Sequence, residues 1–339
     1  MSKVQMFRRF RFRGPAKYFA VLALACLPSG AASQNVDARL ETVMQFFAGA
    51  TVVSSPTVVE CKLSGGTETA CFSITFTDDP EGDTPGPWCP RNVDDGADAG
   101  GIWLQDGVVH DVDGAFIERL AEFYGDTNWQ LHDPETGAVR FTGTLEACEA
   151  AARPNVDPAY QNHCVECLPE YMPDGASVTY VIPIDPGEPD QLSPTRTGSG
   201  VAYNGVRLDG PAPVDAILGA YTIAPFDDCG GHVNLHVGYH YHAVTECLNN
   251  GPEADVPEHG PQIGIAMDGY PIFKHLMADG LVPAELDQCN GHLGEDGTYH
   301  YHAGAAGSNA ILGCLRAETG CTLNDPDAPC DATARRPGP

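Results

Sequence analysis

Positive charge is scarce in this chain. Its 339 residues carry 18 Lys and Arg against 46 Asp and Glu, a formal net charge of −28. That balance argues against nucleic acid and anionic membrane as partners, because both repel an acidic surface. It favours solubility and attracts cations. Long apolar runs are also missing. The one apolar stretch near the start, "YFAVLALACL", is too short to span a bilayer. No Gly-x-Ser-x-Gly elbow, no phosphate loop and no His-Glu-x-x-His helix is present, so the motif-borne forms of those chemistries are excluded.

What is there begins with a leader. "MSKVQMFRRFRFRGPAK" holds six positive residues and no negative one, the apolar stretch follows, and "PSGAAS" offers small residues for cleavage. This order predicts a secretory signal over 1–33, cut near Ala32 or Ser33. Arg8-Arg9 hints at a twin-arginine signal, although "RRFRF" fits that pattern poorly. Cys26 in "ALAC" resembles a lipoprotein cleavage box, with Ala23 where leucine is usual, and lipid anchoring is the lesser reading. With the leader's six positive residues removed, −28 becomes −34. The protein is expected in the periplasm or outside the cell.

Of 13 cysteines, all but Cys26 lie in the mature chain. Twelve is an even number, and in an exported protein it predicts disulfides. Cys61 with Cys71, and Cys321 with Cys330, are expected pairs. Cys164 and Cys167 in "HCVEC" are expected to be structural rather than redox-active. Gly (38) and Pro (28) are abundant, which suits turns and short strands more than long helices.

One word occurs twice: "GYHYHA" at Gly238–Ala243 and "TYHYHA" at Thr298–Ala303. Each follows an Asp-x-Cys-x-Gly-His turn (Asp227, Cys229, Gly231, His232, and Asp287, Cys289, Gly291, His292), with the same gap of six residues. An Asp-Gly pair precedes both. Matched words at matched spacing predict an internal repeat, with units at about 204–247 and 263–314 related by a pseudo-two-fold axis.

Read as a strand, the word places His240 and His242 on one face and Tyr239 and Tyr241 on the other. His300 and His302 part from Tyr299 and Tyr301 in the same way. The upstream turns bring His232 and His292 towards the same faces. Three imidazoles per unit suit zinc or copper, and the Irving–Williams order puts copper first and zinc second. His236, His259 and Asp268 are weaker candidates. His236 stands where the second unit has Asp296. The tyrosines are expected in the core. Cys229 and Cys289 are expected to pair with Cys247 and Cys314, with thiolate ligation of a cuprous ion as the alternative. Hydrogen-bonded histidines without metal are the bland reading.

Together "NGVRLDG", "FDDCGGH", "GYHYHA", "HGPQIGIAMDGYPIF", "LDQCNGH", "TYHYHA" and "ILGCLR" resemble the successive blocks of the YHYH domain family, with "VTYVIPIDP" as the strand leading into them. The resemblance covers about 177–316, and more loosely the chain from about 58. It implies fold kinship, a secreted or periplasmic setting and the same histidine constellation, without supplying a reaction. Lys274-His275 follow "GYPIF" where the family often has another glycine.

The expected architecture is mainly β, a β-rich α+β chain. It is one disulfide-stapled domain at 58–320, with a tether or first strand at 34–57 and a flexible tail at 321–339. A helix is predicted from Asp113 to Gly125, with Asp113 as cap and Phe116, Ile117, Leu120 and Phe123 as its apolar face; a second, capped by Thr144, covers "TLEACEAAAR". Three functions fit. The first is an exported metal-binding protein, copper above all. The second is a metal-dependent oxidoreductase or hydrolase on the same histidines, helped by a carboxylate such as Asp268. The third is a structural module without metal.

Overall fold

Short runs of β-branched and aromatic residues between glycine- and proline-rich turns give this chain more strand than helix, 28% against 17%. The computed structural model describes residues 29–77, 85–195, 198–252, 259–295 and 297–334. The predicted leader lies almost wholly outside the described residues, as do Cys26 and Asp296.

One sheet is antiparallel and four-stranded, in the order β1 (Val52–Lys62), β2 (Glu68–Thr77), β5 (Ser177–Pro183), β14 (Cys321–Leu323). The second has eight strands. From one edge it runs β12 (Gly291–Leu293), β13 (Tyr299–His302), β11 (Pro271–Phe273), β10 (Gln262–Ala266). It continues β6 (Gly200–Ala202), β7 (Arg207–Leu208), β9 (Gly238–Tyr241), β8 (Gly231–Asn234). The pairing types read the same from either edge: antiparallel, parallel, antiparallel, about a central antiparallel pair β10–β6.

The main core lies between the sheets. Phe72, Ile74, Phe76, Tyr180 and Ile182 from the first sheet meet Val201, Leu208, Tyr239, Tyr241, Ile272, Tyr299 and Tyr301 from the second. The tyrosine face of both repeated words is therefore the core face, as the alternation predicts.

Residues ahead of β1 differ from expectation. In place of a tether or strand there is a helix, α1 (Ser29–Phe46). Val36, Leu40 and Val43 recur at helical spacing and pack on the core, and Phe47 meets Phe76 at 5.0 Å between ring centroids. Arg39 clasps Asp185 at 2.8 Å. The C-terminal segment also departs from the expected tail. β14 pairs with β5, Cys321 is bonded to Cys330, and the Lys62 N–H donates to the Cys330 carbonyl at 2.9 Å.

Between β2 and β5 lies a smaller lobe. It holds the hairpin β3 (Ile102–Gln105) and β4 (Val108–Asp111) and the helices α2 (Gly114–Glu118), α3 (Leu120–Phe123) and α4 (Leu145–Ala151). α5 (Val214–Leu218) lies against it. Asp113 Oδ1 accepts from the Phe116 N–H at 2.7 Å and Thr144 Oγ1 from the Ala147 N–H at 3.2 Å, so both predicted caps form. The first helix is broken at Arg119, and that break leaves Phe123 41% exposed rather than on the buried face with Phe116, Ile117 and Leu120.

Six disulfides staple the fold. Cys61–Cys71, Cys229–Cys247, Cys289–Cys314 and Cys321–Cys330 pair as expected. Cys164 and Cys167 are structural but separate, bonded to Cys89 and Cys148 and tying the smaller lobe together.

Candidate metal centres

Each Asp-x-Cys-x-Gly-His turn is built by its aspartate. Asp227 Oδ1 accepts from the N–H groups of Cys229 (3.1 Å) and Gly231 (3.0 Å), while Oδ2 accepts from the Tyr239 hydroxyl (2.7 Å). Asp287 repeats this with Cys289 (2.8 Å), Gly291 (3.1 Å) and Tyr299 (2.9 Å). The glycine is needed because the tyrosine passes over it. A Cβ on Gly231 would strike the Tyr239 ring, and one on Gly291 the Tyr299 hydroxyl. This pins the register, so His232 faces His240 across β8–β9 and His292 faces His300 across β12–β13.

Two groups of convergent ligands result among the described residues. One is His232, His240 and His242; the other is His259, His292, His300 and His302. Within each group the potential ligand atoms all lie within 4.8 Å of one another. The Nε2 atoms of His292 and His300 are 2.9 Å apart. Two nitrogens on a tetrahedral ion, with bonds of about 2.0–2.1 Å, sit about 3.3 Å apart, so little movement separates this pair from a shared ion. The two groups are five strand steps apart, about 24 Å measured along the sheet. The two histidine groups are separate.

Backbone carbonyls orient the rings. His240 Nδ1 meets the Gly238 carbonyl at 3.0 Å and His242 Nδ1 that of Gly210 at 2.6 Å. His300 Nδ1 meets the Thr298 carbonyl at 3.3 Å and His302 Nδ1 that of Lys274 at 3.0 Å. A carbonyl only accepts, so each Nδ1 carries the proton and each Nε2 keeps a lone pair. His302 Nε2 is buried and has no hydrogen-bond partner among the described residues. Lys274 thus supplies an orienting carbonyl.

Burial disfavours the charged form of His232, His240, His242 and His302. The His232 and His240 imidazoles are pushed well below their ordinary pKa, first by desolvation and then by neighbouring rings. His242 is lowered for the same first reason. His302 is pushed down to about 3 by burial, with His300, His259 and His292 adding to it and the Lys274 carbonyl opposing. Apolar rings enclose both groups: Phe226 lies 4.9 Å from His232 and 5.2 Å from His242, and Phe273 lies 5.0 Å from His259 and 5.2 Å from His300.

The weaker candidates part company. His259 joins the second group, stacked on His302 at 5.2 Å. His236 is exposed at the end of β8, apart from the first triad. Asp268 is fully buried on the tyrosine face, held by the Tyr301 hydroxyl at 2.6 Å, so it is brought to neither group. All twelve cysteines of the described residues are in disulfides, so no thiolate is left for either group. Sequence reading missed the carbonyls of Gly210 and Lys274 and the rings of Phe226 and Phe273. None has a local pattern that points to the site.

The first group opens onto a cavity of about 1090 Å³. Its wall includes Trp88, Val165, Ile217 and Val233 together with Arg207 and Asp209. Arg207 pairs with His240 across β7–β9, is 9% exposed, and donates from Nη2 to Asp209 Oδ1 at 3.1 Å.

No curated protein and no solved structure matches the chain. Residues 160–282 match the family described as YHYH protein, taking in the first repeated word and ending before the second. The chain is thus similar to the YHYH family over residues 160–282.

Proposed function

We propose that this is an exported protein that binds transition-metal ions, copper first and zinc second, at two histidine sites. His232, His240 and His242 hold one ion; His259, His292, His300 and His302 hold the other. One observation carries the reading: buried imidazoles whose Nδ1 atoms are tied to carbonyls, with their ligand atoms gathered within 4.8 Å. Neutral rings oriented in this way are the form a borderline ion takes up, and copper heads the affinity order for such donors. Six disulfides agree with an oxidising, exported setting. The acidic surface would draw cations towards it.

The test is metal analysis of protein purified from its own compartment, beside a His240→Ala/His300→Ala double variant. The wild type should carry up to two ions per chain and the variant none. Equal metal content in both would refute the assignment.

A second reading, a metal-dependent enzyme, is favoured by the cavity at the first site. Asp268 does not serve it as general base, since that carboxylate faces the core.

A further inference from the structure

We infer that the first histidine site is open and is completed by an organic carboxylate that Arg207 holds in the adjoining cavity, whereas the second site is closed by side chains alone. This rests on the metal-binding reading above. Three observations carry it.

The first is the ligand count. Four protein donors close a tetrahedral ion, and three leave a position for water or substrate. The second group offers His259, His292, His300 and His302, while among the described residues only three side chains gather at the first.

The second is the space. His232, His240 and His242 line a cavity of about 1090 Å³, at the upper end of what small-molecule pockets occupy. Trp88, Val165, Ile217 and Val233 give it apolar walls, so a ligand with an apolar body fits there.

The third is Arg207. Arg207 lines the same cavity, and its side chain is 10% exposed. Among the described residues it has one carboxylate partner, Asp209, and its buried Nε has no hydrogen-bond partner. An ion at the triad would add a second centre of positive charge beside it, facing that single carboxylate. Buried charge is tolerated only when paired and hydrogen-bonded. An incoming carboxylate meets both needs, with one oxygen on the ion and the other accepting from Arg207. The other charged groups on the cavity wall do not compete. Glu166 is engaged by Arg91 at 2.7 Å, and Arg153 donates to the Asn155 carbonyl at 3.0 Å. In the second unit, β11 reads Pro-Ile-Phe and carries no charge.

The experiment uses the mature protein loaded with cobalt(II), its metal content measured first, and titrated with benzoate. The His300→Ala variant keeps the first site, and its visible cobalt bands should shift with benzoate. The His240→Ala variant keeps the second site, and its bands should not move. Arg207→Gln should retain cobalt at the first site yet bind benzoate at least about tenfold more weakly. The inference is overturned by a benzoate response at the second site, by none at the first, or by one indifferent to Arg207. Should any variant misfold, the copper(II)-loaded wild type asks the same question: benzoate should move one of two electron paramagnetic resonance signals, and moving both or neither overturns the inference. A protein that takes up no metal sinks the metal reading and this one together. Two bound metals without a benzoate response sink this one alone.

Discussion

The Tyr301 hydroxyl donates to Asp268 Oδ2 at 2.6 Å, and the backbone N–H groups of Arg316 and Ala317 reach the same oxygen at 3.2 Å each. In the first unit Asn204 takes the corresponding place, its Nδ2 3.1 Å from the Tyr241 hydroxyl. The pair shows what the position does: it satisfies a buried tyrosine, and a charge is not required for that. Burial pushes the Asp268 carboxyl up from 3.8 to about 6, although its hydrogen bonds work the other way. A raised pKa means the folded chain holds this proton more tightly than the unfolded one. The resulting stability is complete below about pH 4 and is lost as pH rises through about 6. Asp268→Asn should therefore flatten the stability profile between pH 4 and 6 in urea denaturation, and an unchanged slope would contradict the assignment. Asp268→Ala, which strands the Tyr301 hydroxyl and the Ala317 N–H, should cost about 2 kcal/mol or more at any pH in the same assay.

In the hairpins β8–β9 and β12–β13, glycine, tyrosine and aspartate act as one device. The tyrosine crosses the glycine to reach the aspartate that shapes the turn, and the turn sets which histidines face each other. Gly291→Ala should cost about 1–3 kcal/mol, because the added methyl meets the Tyr299 hydroxyl in a packed core. Gly49→Ala, with nothing near its Cβ, should be close to neutral. Thermal melts of the two would separate them, and equal melting temperatures would argue against this role for the glycine. The strand words were legible in sequence because alternation has a period of two. α1 was not read, although Val36, Leu40 and Val43 have helical spacing, because the nearby leader and the strand-rich composition dominated that region.

Across the whole molecule, disulfides and sheet order join parts of the chain that are distant in sequence. Cys89–Cys164 closes 75 residues and Cys321–Cys330 closes 9. On the chain-entropy account the longer loop restrains the unfolded state more, by about 2 kcal/mol. Replacing Cys89 and Cys164 by serine should thus lower the urea midpoint clearly more than replacing Cys321 and Cys330. The reverse order would show that native packing, rather than loop closure, governs the effect. The smaller lobe closed by Cys89–Cys164 and Cys148–Cys167 also forms part of the cavity wall, through Trp88, Val165 and Cys167.

Sequence by itself determined the strand character of the repeated words, the split between histidine and tyrosine faces, and most of the cysteine pairs. All of these are local: they follow from alternation, turn chemistry and short separations in the chain. Tertiary structure alone decided that His259 joins one histidine group while His236 and Asp268 join neither. It also decided that one histidine group has four members and the other three, and that Arg207 and a large cavity lie beside the three. Those outcomes depend on which distant segments pack over the histidine face, and long-range packing leaves no periodic mark on the residues it brings together.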